Sequence, residues 1–356
     1  MDMNLMTQIL GIAFEKKVSD IHFEVDNPPF FRVRGQLVRA RLPNLTPRDT
    51  EFIATTVLQH NGRALPADLR ELDTVYSLPS RGRFRASIFR QRGAIGIVMR
   101  VIPPQVGSFQ ELGLPPVLAE IVRAPNGLIL VTGPTGNGKS TTLASMLRYL
   151  NDNFNFNIVT IEDPLEFLFS SGTGCVVQRE VGIDTESFGQ ALRAAMRMDP
   201  DIIMVGEMRD LETIDACIRS AETGHLVLST LHTQNAISTV SRLIGFFPPE
   251  AREGIRHRLA DILVATVSLR LVKDTTGEKI LPVVEVMRAT TTIQACIREG
   301  RLDEIEKHIE KGSSQYQMQT LDQHLIQLVQ GGFITIEQAG HITRSTDLER
   351  RLTFGE

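Results

Sequence analysis

Gly133-Pro134-Thr135-Gly136-Asn137-Gly138-Lys139-Ser140 stands between an apolar run, Leu128 to Thr132, and a stretch of helical periodicity, Lys139 to Leu150. The octapeptide satisfies G-x-x-x-x-G-K-[ST] in the strand-then-helix setting that gives the pattern its meaning. Gly133, Gly136 and Gly138 let the backbone curl so that successive N–H groups point at phosphate oxygens, and the helix behind them presents its positive end to the same place. Lys139 is then placed to bridge the β- and γ-phosphates and Thr141 to lie near the α-phosphate. Ser140 offers a hydroxyl to Mg²⁺, which keeps several waters and takes few protein ligands. With Thr135 and Asn137 in the loop, these residues form the expected nucleotide site, and ATP with Mg²⁺ its expected ligands.

Working outward, short apolar runs alternate with helical patterns. Strands are expected at Leu128 to Thr132, Ile158 to Ile161, Ile202 to Val205 and Leu226 to Leu231. Helices are expected at 139–150, 187–198 and 211–222, the last ending at Gly224. Such wiring makes an α/β fold with a mostly parallel central sheet and right-handed crossovers. After Pro248–Pro249 a long helix is expected over 251–269, then a hairpin around Thr275–Thr276–Gly277. Helices follow at 291–299, 302–311, 320–330 and 336–343, with capping boxes at Thr320/Gln323 and Thr335/Gln338. Upstream lies a smaller α+β module, with helices at 5–14 and 48–59 and strands at 19–25, 30–38, 73–78, 82–90 and 95–101. Pro103–Pro104, Gly107, Gly113 and Pro115–Pro116 mark a linker. The expected organisation is therefore 1–105, a linker at 106–118, a nucleotide-binding domain at 119–290 and a helical region at 291–356.

Hydrolysis also needs a group that orients water, and carboxylates at strand ends of such a sheet face the ligand crevice. Two clusters qualify: Glu162-Asp163-Pro164-Leu165-Glu166, and the strand Ile202 to Val205 followed by Gly206-Glu207. Glu166 is the candidate to polarise the attacking water, and Glu207 to hold the Mg²⁺ shell through water. A later strand is bracketed by His225 and His232; His232, at its C-terminal end, is the candidate to sense the γ-phosphate. Arg81, Arg83 and Arg85 alternate, and Arg90, Arg92 and Arg100 extend the cluster. From it Arg83 and Arg100 are candidates to stabilise γ-phosphate charge in a neighbouring subunit.

Composition excludes other classes. Of 356 residues 42% are hydrophobic and 22% charged, ordinary globular usage that fits neither a disordered nor a collagen-like chain. Residues 1–106 carry 15 Lys and Arg against 10 Asp and Glu, and the rest carry 23 against 32. The acidic balance speaks against nucleic-acid coating, and the opposite charges of the two parts favour head-to-tail self-association. Cys175, Cys217 and Cys296 form no CxxC pair, so they are expected as buried small residues in a reducing, cytoplasmic setting. No window has the roughly 18 to 20 apolar residues of a spanning helix, so no direct membrane insertion is expected.

Taken together the segments resemble the secretion ATPase superfamily (GspE-like), and within it the type IV pilus twitching-motility ATPases of the PilT/PilU family. The likeness rests on GPTGNGKSTTLASML from Gly133, TIEDPLEF from Thr160, DPDIIMVGEMRDLET from Asp199 and AETGHLVLSTLHT from Ala221. SDIHF from Ser19, VVQREVGIDTESF from Val176 and MQTLDQHLIQLVQGG from Met318 extend it over nearly the whole chain. The resemblance implies an N-terminal PAS-like domain, a RecA-like ATPase domain, and a homohexameric ring peripheral to a bacterial inner membrane. It implies Glu166 as catalytic base and Glu207 as Walker B acid. The implied partners are an inner-membrane pilus platform protein and a paralogous pilus ATPase. The chain departs at Asn137, where the family usually has Ser, and in Thr292 to Glu299, which keeps only Ile293, Ile297, Arg298 and Glu299 of the retraction motif. An accessory retraction paralogue and a pilus assembly or type II secretion ATPase stay open as alternatives; a RecA-like nucleic-acid translocase is a further one.

Overall fold

A computed structural model describes residues 2–343 except 17, 34, 79–80 and 103–105. Two compact units emerge, one ending before Val106 and including Glu166–Leu168, the other holding the remainder.

The first unit comprises α1 (Met3–Glu15), β1 (Asp20–Phe23), β2 (Phe30–Val33), β3 (Gln36–Arg39), α2 (Pro47–His60), β4 (Glu71–Leu78), β5 (Gly82–Gln91) and β6 (Ala94–Ile102). The strands form an antiparallel sheet in the order β3-β2-β1-β6-β5-β4. Alternation puts Phe84, Ala86 and Ile88 of β5 on the buried face, where they meet Met6, Ile9 and Leu10 of α1 and Ile53, Val57 and Leu58 of α2. Helix α2 starts where Thr46 and Asp49 form a capping box, with Pro47 between them as the first helical residue. The run 30–38, expected as one strand, is a hairpin instead: β2 and β3 pair across a turn at Gly35, whose φ of 83° suits glycine.

The second unit comprises α3 (Leu118–Ile121), β7 (Gly127–Thr132), α4 (Lys139–Asn153), β8 (Asn157–Glu162), β9 (Cys175–Glu180), α5 (Phe188–Ala195), β10 (Ile202–Val205), α6 (Leu211–Glu222), β11 (Leu226–Leu231), α7 (Ala236–Gly245), α8 (Arg252–Ile262), β12 (Leu263–Lys273) and β13 (Ile280–Arg288). Helices α9 (Thr291–Glu299), α10 (Ile305–Lys311), α11 (Ser313–Tyr316), α12 (Leu321–Gln330) and α13 (Ile336–Ile342) follow. The sheet order is β13-β12-β7-β11-β10-β8-β9, parallel throughout except β13, which pairs antiparallel with β12. Both faces are covered. Leu128 and Leu130 of β7 pack into the core shared with α5 to α10, and Ile129 and Val131 into the core shared with α3 and α4. The α/β expectation with a mostly parallel sheet therefore holds, and the capping boxes at Thr320 and Thr335 are present.

The largest departure lies at 251–269, expected as one helix. Helix α8 stops at Ile262, and β12 inserts between β7 and β13. From Leu263 the apolar residues recur every second position, with Leu263, Ala265, Val267 and Leu269 each at most 3% exposed. A strand here satisfies the backbone groups of β7 and β13 together, which a helix would leave unpaired. Residues 106–118 pack Leu114, Val117 and Leu118 into the second unit's core. Helix α5 is shorter than the expected 187–198, and residues 302–304 form a 3₁₀ turn before α10. Cys217 and Cys296 are buried as expected, but Cys175 is exposed because it opens β9 at the sheet's edge.

Candidate functional site

Strands β7, β8, β10 and β11 run parallel, so their C-terminal ends gather at one edge of the sheet, the edge where open α/β sheets hold ligands. Gly133 leaves β7 with φ 143°; a Cβ there would stand 2.5 Å from the Leu269 carbonyl oxygen of β12, so the loop can pass so close only as glycine. Gly138, with φ 82°, caps α4, whose first residue is Lys139. The Lys139 ammonium is largely buried, donating to the Gly133 oxygen at 2.8 Å and the Pro134 oxygen at 3.1 Å. Ser140 and Thr141 are half-buried in the first turn of α4. The loop is fixed from outside by Asn137, whose Oδ1 accepts the Leu271 amide of β12 at 2.9 Å.

That bond gives the Asn137 departure a physical role. A Ser side chain is too short to reach the Leu271 amide. Asn137→Ser is expected to lower the unfolding midpoint by about 2–4 °C, the shift for loss of about 1 kcal/mol in a unit of this size. Faster hydrogen exchange at Leu271 should accompany it. An unchanged midpoint with unchanged exchange would show that the bond does not hold the loop.

On the neighbouring strands, Thr230 Oγ1 donates to the Gly206 oxygen at 2.7 Å, and the Met208 amide donates to the Thr230 oxygen at 3.1 Å. These bonds pin the loop after β10 to the end of β11 and bring Glu207 and His232 together. The His232 Nε2 lies 3.4 Å from Glu207 Oε2, and its Nδ1 lies 3.4 Å from both Lys139 Nζ and Thr135 Oγ1. The imidazole therefore bridges the lysine and the acid. The Glu207 side chain is only 14% exposed and is also ion-paired with Arg209. A hydroxyl at Ser140 and an enclosed carboxylate at Glu207 are the hard oxygen donors that Mg²⁺ takes. Beside His232 a surface cleft of about 660 Å³ opens along α7, lined among others by Asn235, Ser238, Arg242 and Phe246.

Other candidates are placed elsewhere. His225, at the start of β11, lies 3.0 Å by its Nδ1 from the Ser220 oxygen and closes the end of α6. Glu162 is buried and accepts from Thr160 Oγ1 at 2.7 Å and Gln178 Nε2 at 3.3 Å, so it serves the β8–β9 edge. Glu166 is exposed, in the segment that groups with the first unit. Arg83 and Arg100 also belong to that unit. Arg83 is 8% exposed on β5, whereas the Arg100 side chain on β6 is 70% exposed and donates to Asp20 Oδ1 at 3.0 Å. Arg85, Arg100, Asp20 and Arg32 stand in register across β5, β6, β1 and β2, giving the outer face of that sheet a basic row. The rest of the expected arginine cluster is dispersed: Arg81, in the turn before β5, pairs with Glu15, and Arg90 serves the Leu69 and Ala67 carbonyls. Arg209 gave no sequence signal of its own; only the fold shows that it answers Glu207.

Residues 3–341 match the family model described as type II/IV secretion system protein. The type IV pilus retraction ATPase PilT of Pseudomonas aeruginosa is 41% identical over 334 residues, 94% of this chain and 96% of the relative. The type IV pilus ATPase PilU of the same organism is 38% identical over 350 residues, 98% of this chain and 91% of the relative. A crystal structure of the pilus retraction motor PilT with bound ADP is similar at a TM-score of 0.89 and 41% identity, covering 97% of this chain and 99% of that one.

Proposed function

The chain belongs to the type II/IV secretion system protein family, and on that premise we propose that it is an ATP-hydrolysing motor of type IV pilus retraction. The observation that carries the reading is likeness to PilT over nearly the full length of both chains. We assign residues 1–105 to a PAS-like domain, 106–118 to a linker, 119–290 to a RecA-like ATPase domain and 291–356 to a helical region, of which 344–356 lie outside the described residues. The motor works as a homohexamer at the cytoplasmic face of a bacterial inner membrane and acts on an inner-membrane pilus platform protein. Among the described residues no helix is long and apolar enough to cross a membrane.

In this reading the loop amides from Gly133 to Ser140 and the N-terminus of α4 bind the phosphates of ATP. The Lys139 ammonium moves from its loop carbonyls to the β- and γ-phosphates. Ser140, and Glu207 through water, would hold Mg²⁺, which when bound would neutralise charge on the phosphate oxygens. His232, between Lys139 and Glu207, reports the state of the γ-phosphate to the β10 and β11 loops. Glu166 accepts the proton of the attacking water, and Arg83 and Arg100 of a neighbouring subunit stabilise the charge developing on the transferred phosphoryl group.

Cells lacking the chain test the assignment. Retraction predicts surface pili retained or increased and twitching lost, restored by the wild-type chain and not by Lys139→Ala. Loss of pili would instead mark an assembly motor, and twitching weakened only under load an accessory paralogue.

A further inference from the structure

We infer that Glu285, on β13, is a positioning residue for the nucleotide site, holding the strand that feeds the phosphate loop and the segment that carries His232 in one register; this rests on the ATPase reading above. Glu285 is only 4% exposed. Its Oε1 accepts the Ala236 amide at 2.6 Å and the Ser268 hydroxyl at 2.9 Å. Ser268 in turn accepts from Thr132 Oγ1 at 3.1 Å. Thr132 immediately precedes Gly133, and Ala236 opens α7 four residues after His232. One carboxylate oxygen thus joins β7, β12, β13 and α7, and each hydroxyl of the relay donates inward toward the acid.

Packing alone does not call for an acid at this place. Burial pushes the Glu285 pKa up to about 7, while the Ala236 amide, the Ser268 hydroxyl and Arg270 on β12 favour the charge and Glu306 on α10 opposes it. Along the strand, His324 on α12 accepts the Val284 amide, and burial lowers its pKa. Because the folded-state value of Glu285 lies above the ordinary one, its stabilising contribution is full below the ordinary carboxylate range and is lost as pH rises through about 7. Above that pH the charge costs stability, yet it is then the stronger acceptor and the relay is tightest. A residue that lowers stability while joining two segments of a site fits a group kept for activity.

The test compares the full wild-type chain with Glu285→Gln, which keeps an acceptor oxygen but cannot ionise, in ATP turnover across neutral pH and in thermal unfolding at alkaline pH. The wild-type kcat should fall as pH drops through about 7. The variant should lack that step, with kcat about fivefold lower at alkaline pH, the effect expected from losing the charge in one hydrogen bond. Its KM for ATP should be unchanged, and its unfolding temperature should equal or exceed that of the wild type. A step that persists in the variant overturns the inference, as does activity lost in proportion to stability. Should the Gln variant fail to fold, Ser268→Ala breaks the relay and leaves the carboxylate. It must then lower kcat with KM retained, and full turnover would overturn the inference. Absent turnover in the wild type overturns the ATPase reading, and this inference with it; turnover in the wild type and equally in the variants overturns this inference alone.

Discussion

Lys139→Ala is expected to reduce ATP turnover by at least about 10²–10³-fold, the scale of removing a single charge-stabilising donor from a transition state. Nucleotide affinity should fall with it, because the ammonium is the concentrated positive charge at the end of the loop and the amides supply only partial charges. The fold should survive. The ammonium is largely buried against the loop carbonyls of Gly133 and Pro134 and beside His232, so its removal exchanges those polar contacts for relief from burying a cation. The measurement is phosphate release beside thermal unfolding. Turnover within about threefold of wild type, with an unchanged midpoint, would mean that the loop is not the hydrolytic site.

Glu207→Gln carries the second large effect, a loss of about 10²–10³-fold in kcat with KM for ATP little altered. The substitution keeps the shape of a side chain that is 14% exposed but removes the charge that faces His232 and Arg209. Arg209 is 63% exposed and tolerates the loss in water, so little stability should follow. If the carboxylate holds Mg²⁺ with Ser140, the variant should also need more Mg²⁺ for half-maximal turnover. An unchanged Mg²⁺ requirement beside reduced kcat would move Glu207 from ion binding to placement of His232. Glu166→Gln on the same scale separates the water-activating acid from the ion-binding one.

Much of this was legible in the residues because local chemistry punctuates the chain. Strands β10 and β11 and helices α6 and α9 lie at their expected residues. Asp210 caps α6, Gly224 follows its end with φ 100°, and Thr290 caps α9. The phosphate loop was legible for a similar reason, since its glycines are dictated by backbone geometry that a sequence records directly. Legibility failed where a distant strand decided the outcome. Nothing in 251–269 says that β7 needs a neighbour, and propensity yields to that pairing at Leu263. Side-chain partnerships distant in sequence, such as Asn137 with the Leu271 amide and Glu285 with Ala236, became readable only once the sheet placed them together.

The proposed site takes arginines from a neighbouring copy, and that claim is tested most directly by ATP turnover per subunit across a wide range of protein concentration, with mass measured by light scattering on the same samples. The proposal predicts that turnover per subunit climbs as a six-subunit species forms, and that Arg100→Ala abolishes the climb without preventing assembly. Turnover that is flat with concentration and already complete in the monomer would contradict it, leaving a self-contained nucleotide hydrolase.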